Sequence, residues 1–186
     1  MRKLLLLCLL ALPISPALAD DYTDTLKLFR EAGPSAKFFS NSYGYAVFPT
    51  IGKGGLGVAA GHGKGRVYVG GGYVGDTSMT QITVGPQIGG QAYSQMIFFQ
   101  NKAAFDEFTT GNFEFAAQAT AVAITAGAGV QGGSGGAGIS ASGTPKHAKT
   151  LSDYHGGLAV FTIAKGGLMA EASIGGQKFG YTPKGR

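Results

Sequence analysis

The chain is poor in the residues on which most site chemistry depends. It holds one cysteine, Cys8, within an N-terminal stretch that has the marks of a secretory leader: basic Arg2 and Lys3, an apolar run over 4–14, and small residues Ala17-Leu18-Ala19 ahead of Asp20. Cleavage after Ala19 removes the only thiol, which excludes a disulfide, a thiolate metal site and a cysteine nucleophile. Cys8 does not suit lipid acylation, because too little apolar sequence precedes it and Leu6-Leu7 lack a small residue. The three histidines, His62, His147 and His155, share no HxxxH or HExxH spacing, so no metal or other cofactor is expected. A membrane-spanning helix needs about 18 or more apolar residues, and Pro13 and Pro16 break the one run that approaches this. Charge is sparse, at 13% of positions, and forms no basic stripe interleaved with stacking aromatics, which argues against nucleic acid as a partner. The formal charge of +5 falls to +3 when Arg2 and Lys3 leave with the leader, a mild excess compatible with anionic surfaces.

What is abundant is glycine. There are 33 in 186 residues, far above the usual level of about 7%, and they alternate with Val, Ile, Phe and Tyr without a collagen-like period. This pattern predicts tight turns and close backbone approaches in a β-rich fold. With 44% hydrophobic positions, residues 20–186 are long enough for a single domain with a real core. The sequence also repeats itself: Gly44-Tyr45-Ala46-Val47-Phe48 leading to Lys53-Gly54-Gly55-Leu56 returns as Gly157-Leu158-Ala159-Val160-Phe161 leading to Lys165-Gly166-Gly167-Leu168. Each copy reads as an apolar strand closed by a Lys-Gly-Gly turn. The two copies are expected to pair or pack as the opening and closing strands of one sheet, with Lys53 and Lys165 on a shared edge.

Further strands are expected at 45–48, 56–60, 66–74, 78–84 and 91–100, separated by glycine-rich turns at 52–55, 61–65, 75–76 and 85–86. Spacings this short favour antiparallel hairpins. A helix over 21–30 would place Tyr22, Leu26 and Phe29 on one face and stop at Gly33-Pro34. A second, short helix over 35–41 would turn Phe38 and Phe39 inward, and Asn101 is an N-cap for a helix through Phe105 and Phe108 that ends at Gly111. Residues 116–129 read as a strand leading into a glycine-rich loop that extends to 143. The fold class expected is α+β, a strongly twisted, mainly antiparallel sheet or barrel-like body with a few packed helices.

Two motif matches fail on context. Gly132-Gly133-Ser134-Gly135-Gly136 fits G-x-S-x-G with Asp153 and His155 downstream, but a nucleophile elbow needs a strand before the serine and a helix after it, and more glycine follows here. Gly127-Ala128-Gly129-Val130-Gln131-Gly132 fits the dinucleotide fingerprint, yet no helix can start in 133–138 to place its N-terminus on a pyrophosphate. Neither supports an enzyme.

The cations carry more information. Lys53 sits at one end of the expected strand 56–61, and His62, Lys64 and Arg66 sit about 20 Å away at the other; Lys165 and Lys178 bracket the second copy in the same way. Basic turn tips beside Gly and Tyr either contact lipid headgroups or simply keep the turns solvated.

These residues together resemble the SYLF domain family, which includes eukaryotic lipid- and actin-binding modules and many secreted bacterial members. The likeness runs through Gly44-Tyr45-Ala46-Val47-Phe48-Pro49, Gly54-Gly55-Leu56-Gly57 with Gly63-Lys64-Gly65, and Gln87-Ile88-Gly89-Gly90-Gln91. It continues through Phe98-Phe99-Gln100-Asn101-Lys102-Ala103-Ala104-Phe105-Asp106-Glu107-Phe108 and ends in Lys165-Gly166-Gly167-Leu168-Met169-Ala170. It implies an exported, non-enzymatic module that binds anionic lipid, phosphoinositides in eukaryotic relatives and phosphatidylglycerol, cardiolipin or lipid A phosphates in a bacterial envelope. Lys53, Lys64, Arg66, Lys165 and Lys178 are then the candidate lipid-binding residues. The leader departs from eukaryotic members and separates the chain from actin in its own cell; it points to a periplasmic or otherwise exported location. Two other functions fit the sequence: an envelope protein that recruits a protein partner through the 132–143 loop or a sheet edge, and a small outer-membrane β-barrel.

Overall fold

Two glycines set the main hairpin. Gly70 and Gly71 have φ of +56° and +80°, the left-handed conformation that a two-residue turn between twisted strands requires and that glycine adopts without a Cβ clash. They join β1, Gly44–Val69, to β2, Gly72–Phe99, which pair antiparallel from Val69 opposite Gly72 to Gly44 opposite Phe99. The structure is a computed structural model and describes residues 18–115, 122–124, 154–166 and 176–185. Residues 1–17 of the expected leader (1–19), the tract 125–153 and the two glycine motifs within it lie outside the described residues; positions 18 and 19 open the first helix.

The glycine-rich stretches at 52–55, 61–65, 75–76 and 85–86 are not turns. They lie inside β1 and β2, and the turn falls instead within the expected strand 66–74. The glycines serve close packing. The hairpin bends at the register shift between Leu56 and Val58, where Gly57 has φ +70°, so that its turn half (58–84) folds across its base half. A Cβ on Gly65 would lie 2.7 Å from the Phe48 ring and the Val47 carbonyl, and one on Gly63 would lie 2.5 Å from the Ile51 side chain. Alternate residues of a strand share a face, so glycine at 61, 63 and 65 clears the inner face for the base half. His62 and Lys64 are left exposed on the outer face.

Four shorter strands complete the sheet: β3, Phe113–Glu114; β4, Val122–Ile124; β5, Leu158–Gly166; and β6, Gln177–Pro183. The order is β3-β6-β2-β5-β4, with β1 paired to β2 off that path. β5 lies beside the base half of β2 and β6 beside its turn half, both antiparallel, and β4 joins β5 in parallel. The repeated units therefore do not pair with each other. They flank the same segment of β2, Val47 opposite Met96 and Met96 opposite Phe161, so they run parallel with one strand between them. A curled, mainly antiparallel half-barrel results.

Both faces of the base half are covered. On the concave face Phe48, Ile51, Ile97, Phe99 and Phe179 form a core. It is closed by α4, Lys102–Phe108, whose Phe108 ring centroid lies 4.9 Å from that of Phe99 and 5.1 Å from that of Phe179. On the other face lie α1, Leu18–Glu31; α2, Gly33–Ala36; and α3, Phe38–Asn41. As expected, α1 buries Phe29 with Tyr22 and Leu26 packed beside it, in a cluster with Phe38, Val47, Phe98 and Phe161. Burying a large apolar side chain contributes about 1.5–3 kcal/mol, so these two clusters dominate stability. Ser35 Oγ donates to the Phe29 carbonyl at 2.6 Å, satisfying a C-terminal acceptor of α1.

Asn101 caps α4 as expected, its side-chain oxygen accepting from the Ala104 N–H at 3.0 Å. Asn101→Ala should cost about 1 kcal/mol of unfolding free energy by urea titration, because it frees one buried-side donor without disturbing the aromatic contacts.

Candidate functional site

Strand alternation and the inward glycines decide which side chains reach the convex face of the turn half. Across β1, β2 and β6 the rows run Val58–Val84, Ala60–Ile82, His62–Thr80–Lys178, Lys64–Ser78 and Arg66–Asp76. Same-face rows are about 7 Å apart. The first two rows are apolar and open: Val84 is 79% exposed, Ile82 71% and Val58 56%, with Leu56 at the bend 75% exposed. These are the most exposed large apolar side chains among the described residues, and all four lie at one end of the molecule. The next rows carry the cations. Exposed single leucines or valines are ordinary on protein surfaces; four contiguous ones rimmed by basic residues mark an interaction surface.

The sequence candidates divide accordingly. Lys64 and Lys178 are exposed on this convex face, with Lys178 Nζ 3.4 Å from the Glu114 carboxylate. Arg66 shares the face but is engaged: it lies 4.0 Å from Asp76 and stacks over the Tyr22 and Tyr73 rings at 4.3 and 5.5 Å. Partial burial pushes the Tyr22 hydroxyl pKa up, with the Arg66 guanidinium opposing. Lys165 is exposed beside the base half and donates to Thr50 Oγ1 at 3.0 Å. Lys53 is the clear correction: it is 6% exposed because β1 continues through the expected turn and alternation turns its side chain to the concave face. Lys53 and Lys165 occur near the same end of the sheet but on opposite faces, so the expected shared basic edge does not exist.

Beside the cationic rows a cleft of about 300 Å³ is lined by Ser78, Thr80, Asn112, Glu114, Lys178 and Gly180. It offers two hydroxyls, an amide, and an ammonium paired with the Glu114 carboxylate. The missed residues, Leu56, Val58, Ile82 and Val84, had a signal in the sequence. In the run from Val58 to Arg66 every second residue from Gly61 is glycine, so the larger residues between them must face outward.

The concave face is apolar around Phe99 and polar toward the bend. Gln177 is fully buried and acts as a hub: its Nε2 donates to Gln95 Oε1 at 3.2 Å and to the Tyr93 hydroxyl at 3.1 Å, while Gln95 Nε2 donates back to Gln177 Oε1 at 2.9 Å. Burial holds the Tyr93 hydroxyl well above its ordinary pKa, the Gln177 hydrogen bond opposing only in part, so it stays protonated. Gln177→Leu should lower stability by at least about 2 kcal/mol, since it leaves two buried polar partners unsatisfied at about 1–3 kcal/mol each. Adding Gln95→Leu should recover part of that loss, a coupling measurable by a double-mutant cycle.

Among the described residues no group of three or more His, Cys, Asp or Glu could hold a metal, and no helix is long and apolar enough to cross a membrane. No protein-family model matches the chain. The chain is similar to Beta cell expansion factor A of Aeromonas veronii, 34% identical over 167 residues that cover 84% of this chain and 52% of that protein. It thus spans about half the length of this relative.

Proposed function

We propose that the protein is an exported, non-enzymatic module of SYLF type and α+β architecture that binds anionic membrane surfaces. The observation that carries this reading is the convex face of the turn half, where exposed Leu56, Val58, Ile82 and Val84 give way within one row spacing to His62, Lys64 and Lys178. Interfacial membrane binders combine a shallow apolar insertion with cations at the headgroup level, and a sheet face with apolar rows at its end and basic rows about 7–14 Å behind has that profile. The cleft beside Lys178 lies at the depth of the headgroups in such a pose.

The outer-membrane barrel is less well supported. Such barrels are apolar outside and polar within, whereas here the concave face holds buried phenylalanines and the convex face carries Lys64, Thr80 and Lys178. The partner-recruiting reading through the 132–143 loop concerns residues outside those described.

Co-sedimentation of the mature protein with vesicles tests the proposal. Binding should rise with the phosphatidylglycerol or cardiolipin fraction and weaken with salt, since a Debye length of about 10 Å at 0.1 M screens surface charges. Lys64→Glu with Lys178→Glu should abolish the preference for anionic vesicles. Equal binding to phosphatidylcholine vesicles, or none at any composition, would overturn the reading.

A further inference from the structure

Strand alternation makes the cleft beside Lys178. Across four strands one outward row runs His62–Thr80–Lys178–Glu114, and the next runs Lys64–Ser78–Gly180. The second row lacks a side chain at Gly180, where a Cβ would stand 3.0 Å from Ser78 Oγ. The gap that results holds about 300 Å³, floored by glycine backbone and walled by Ser78, Thr80, Asn112, Glu114 and Lys178. That volume lies at the lower end for ligand pockets, room for a headgroup and not for acyl chains.

The charges on its wall select among ligands. Lys178 Nζ and the Glu114 carboxylate stand 3.4 Å apart, with side chains 68% and 48% exposed. A solvated pair of this kind contributes about 0–1 kcal/mol, so a ligand that comes between the two displaces little. It has to satisfy both. A bare anion drawn to the ammonium meets the carboxylate, and a bare cation drawn to the carboxylate meets the ammonium, so repulsion offsets the attraction. A ligand carrying an anion and a cation a short link apart compensates each charge. The cation's chemistry is narrowed further. The Glu114 carboxylate and the Ser78 and Thr80 hydroxyls accept hydrogen bonds, which a primary ammonium can donate and a quaternary one cannot. Quaternary ammonium groups are held instead by aromatic faces, and Phe179, the aromatic residue at this wall, has its ring buried in the concave core.

We propose that this cleft binds the phosphoethanolamine group of a phosphodiester, phosphate toward Lys178 and primary ammonium toward Glu114, and discriminates against phosphocholine. The group is either free or borne on a lipid. In its lipid-borne form the inference rests on the membrane-binding reading and deepens it: the cationic rows draw the face to an anionic surface, and the cleft selects a headgroup there.

Amide chemical shifts of the mature chain, titrated with glycerophosphoethanolamine, glycerophosphocholine, glycerol 3-phosphate and ethanolamine at matched ionic strength, test it. Saturable shifts at Ser78, Asn112 and Gly180 are expected with glycerophosphoethanolamine, at an affinity about tenfold or more above that for the other three, the loss of one charge-assisted hydrogen bond. Glu114→Gln, which keeps the shape and removes the charge, should weaken it by a similar factor. Gly180→Val, which fills the cleft and alters no charge, should abolish it. Should Gly180→Val fail to fold, Glu114→Gln, at an exposed position, carries the same test. Vesicles distinguish the source. A severalfold rise in affinity when phosphatidylethanolamine replaces phosphatidylcholine at a fixed phosphatidylglycerol fraction, absent in Glu114→Gln, assigns the cleft to a lipid headgroup; no rise, with the soluble headgroup still bound, assigns it to the free ligand. Vesicle binding without any preference among the soluble probes would overturn this inference and leave the membrane-binding reading standing. Binding of the soluble headgroup without vesicle binding at any composition does the reverse. Equal affinities for glycerophosphoethanolamine and glycerophosphocholine, or unchanged affinity in Glu114→Gln, would also overturn the proposal.

Discussion

Ile82→Asp combined with Val84→Asp should lower affinity for anionic vesicles by about 100-fold or more while leaving the fold intact. Both side chains are more than 70% exposed in the free protein, and surface substitutions away from core contacts usually change stability by no more than about 0.5 kcal/mol. Their contribution appears on binding. Withdrawing a valine or isoleucine from water is worth about 1.5–3 kcal/mol, and each 1.4 kcal/mol is tenfold in affinity. Aspartate also places two negative charges against an anionic surface. Co-sedimentation supplies the affinity and urea unfolding the stability; a variant that unfolds no more easily yet no longer sediments with vesicles isolates the apolar end as the contact.

Gly65→Val should unfold the protein or lower its stability by more than about 3 kcal/mol, the upper end for overpacking a close-packed site. The added atoms would run into the Phe48 ring and the Val47 carbonyl, and Phe48 is itself fully buried. Neither side can yield without parting the two halves of the hairpin. Gly52→Ala is the matched control, because a Cβ there meets nothing within 4 Å and the position has an ordinary strand φ; that variant should be neutral in the same urea titration. Equal behaviour of the two would mean that glycine does not set the distance between the halves.

The helices were legible because their signals are local. Tyr22, Leu26 and Phe29 repeat at helical spacing, and Asn101 precedes an aromatic pair at i, i+3, so α1 and α4 follow from period and capping alone. The short helix expected over 35–41 divides into α2 and α3, with Pro34 in the first turn of α2. The long hairpin was not legible in the same way. Clustered glycine at 52–55 and 61–65 has the composition of turns, but its role there is to let one half of a strand lie against the other, a contact between residues far apart along the chain. The same composition puts Lys53 on an expected turn tip. A strand that runs through Lys53 reverses that outcome, since alternation sends its side chain inward with Ile51. Lys64 and Lys178 kept their expected exposure because they alternate with Gly63 or Gly65 on β1 and with Gln177 and Phe179 on β6, whose side is inward.

The membrane-facing role of the convex end is tested most directly by one fluorescence measurement. The chain contains no tryptophan, so Val84→Trp creates a single reporter at the centre of the apolar rows. On addition of phosphatidylglycerol vesicles its emission should shift to the blue and be quenched by brominated acyl chains, while a tryptophan placed at Lys165 should show neither change. Vesicle binding with the Val84→Trp emission still that of a water-exposed indole would contradict the account.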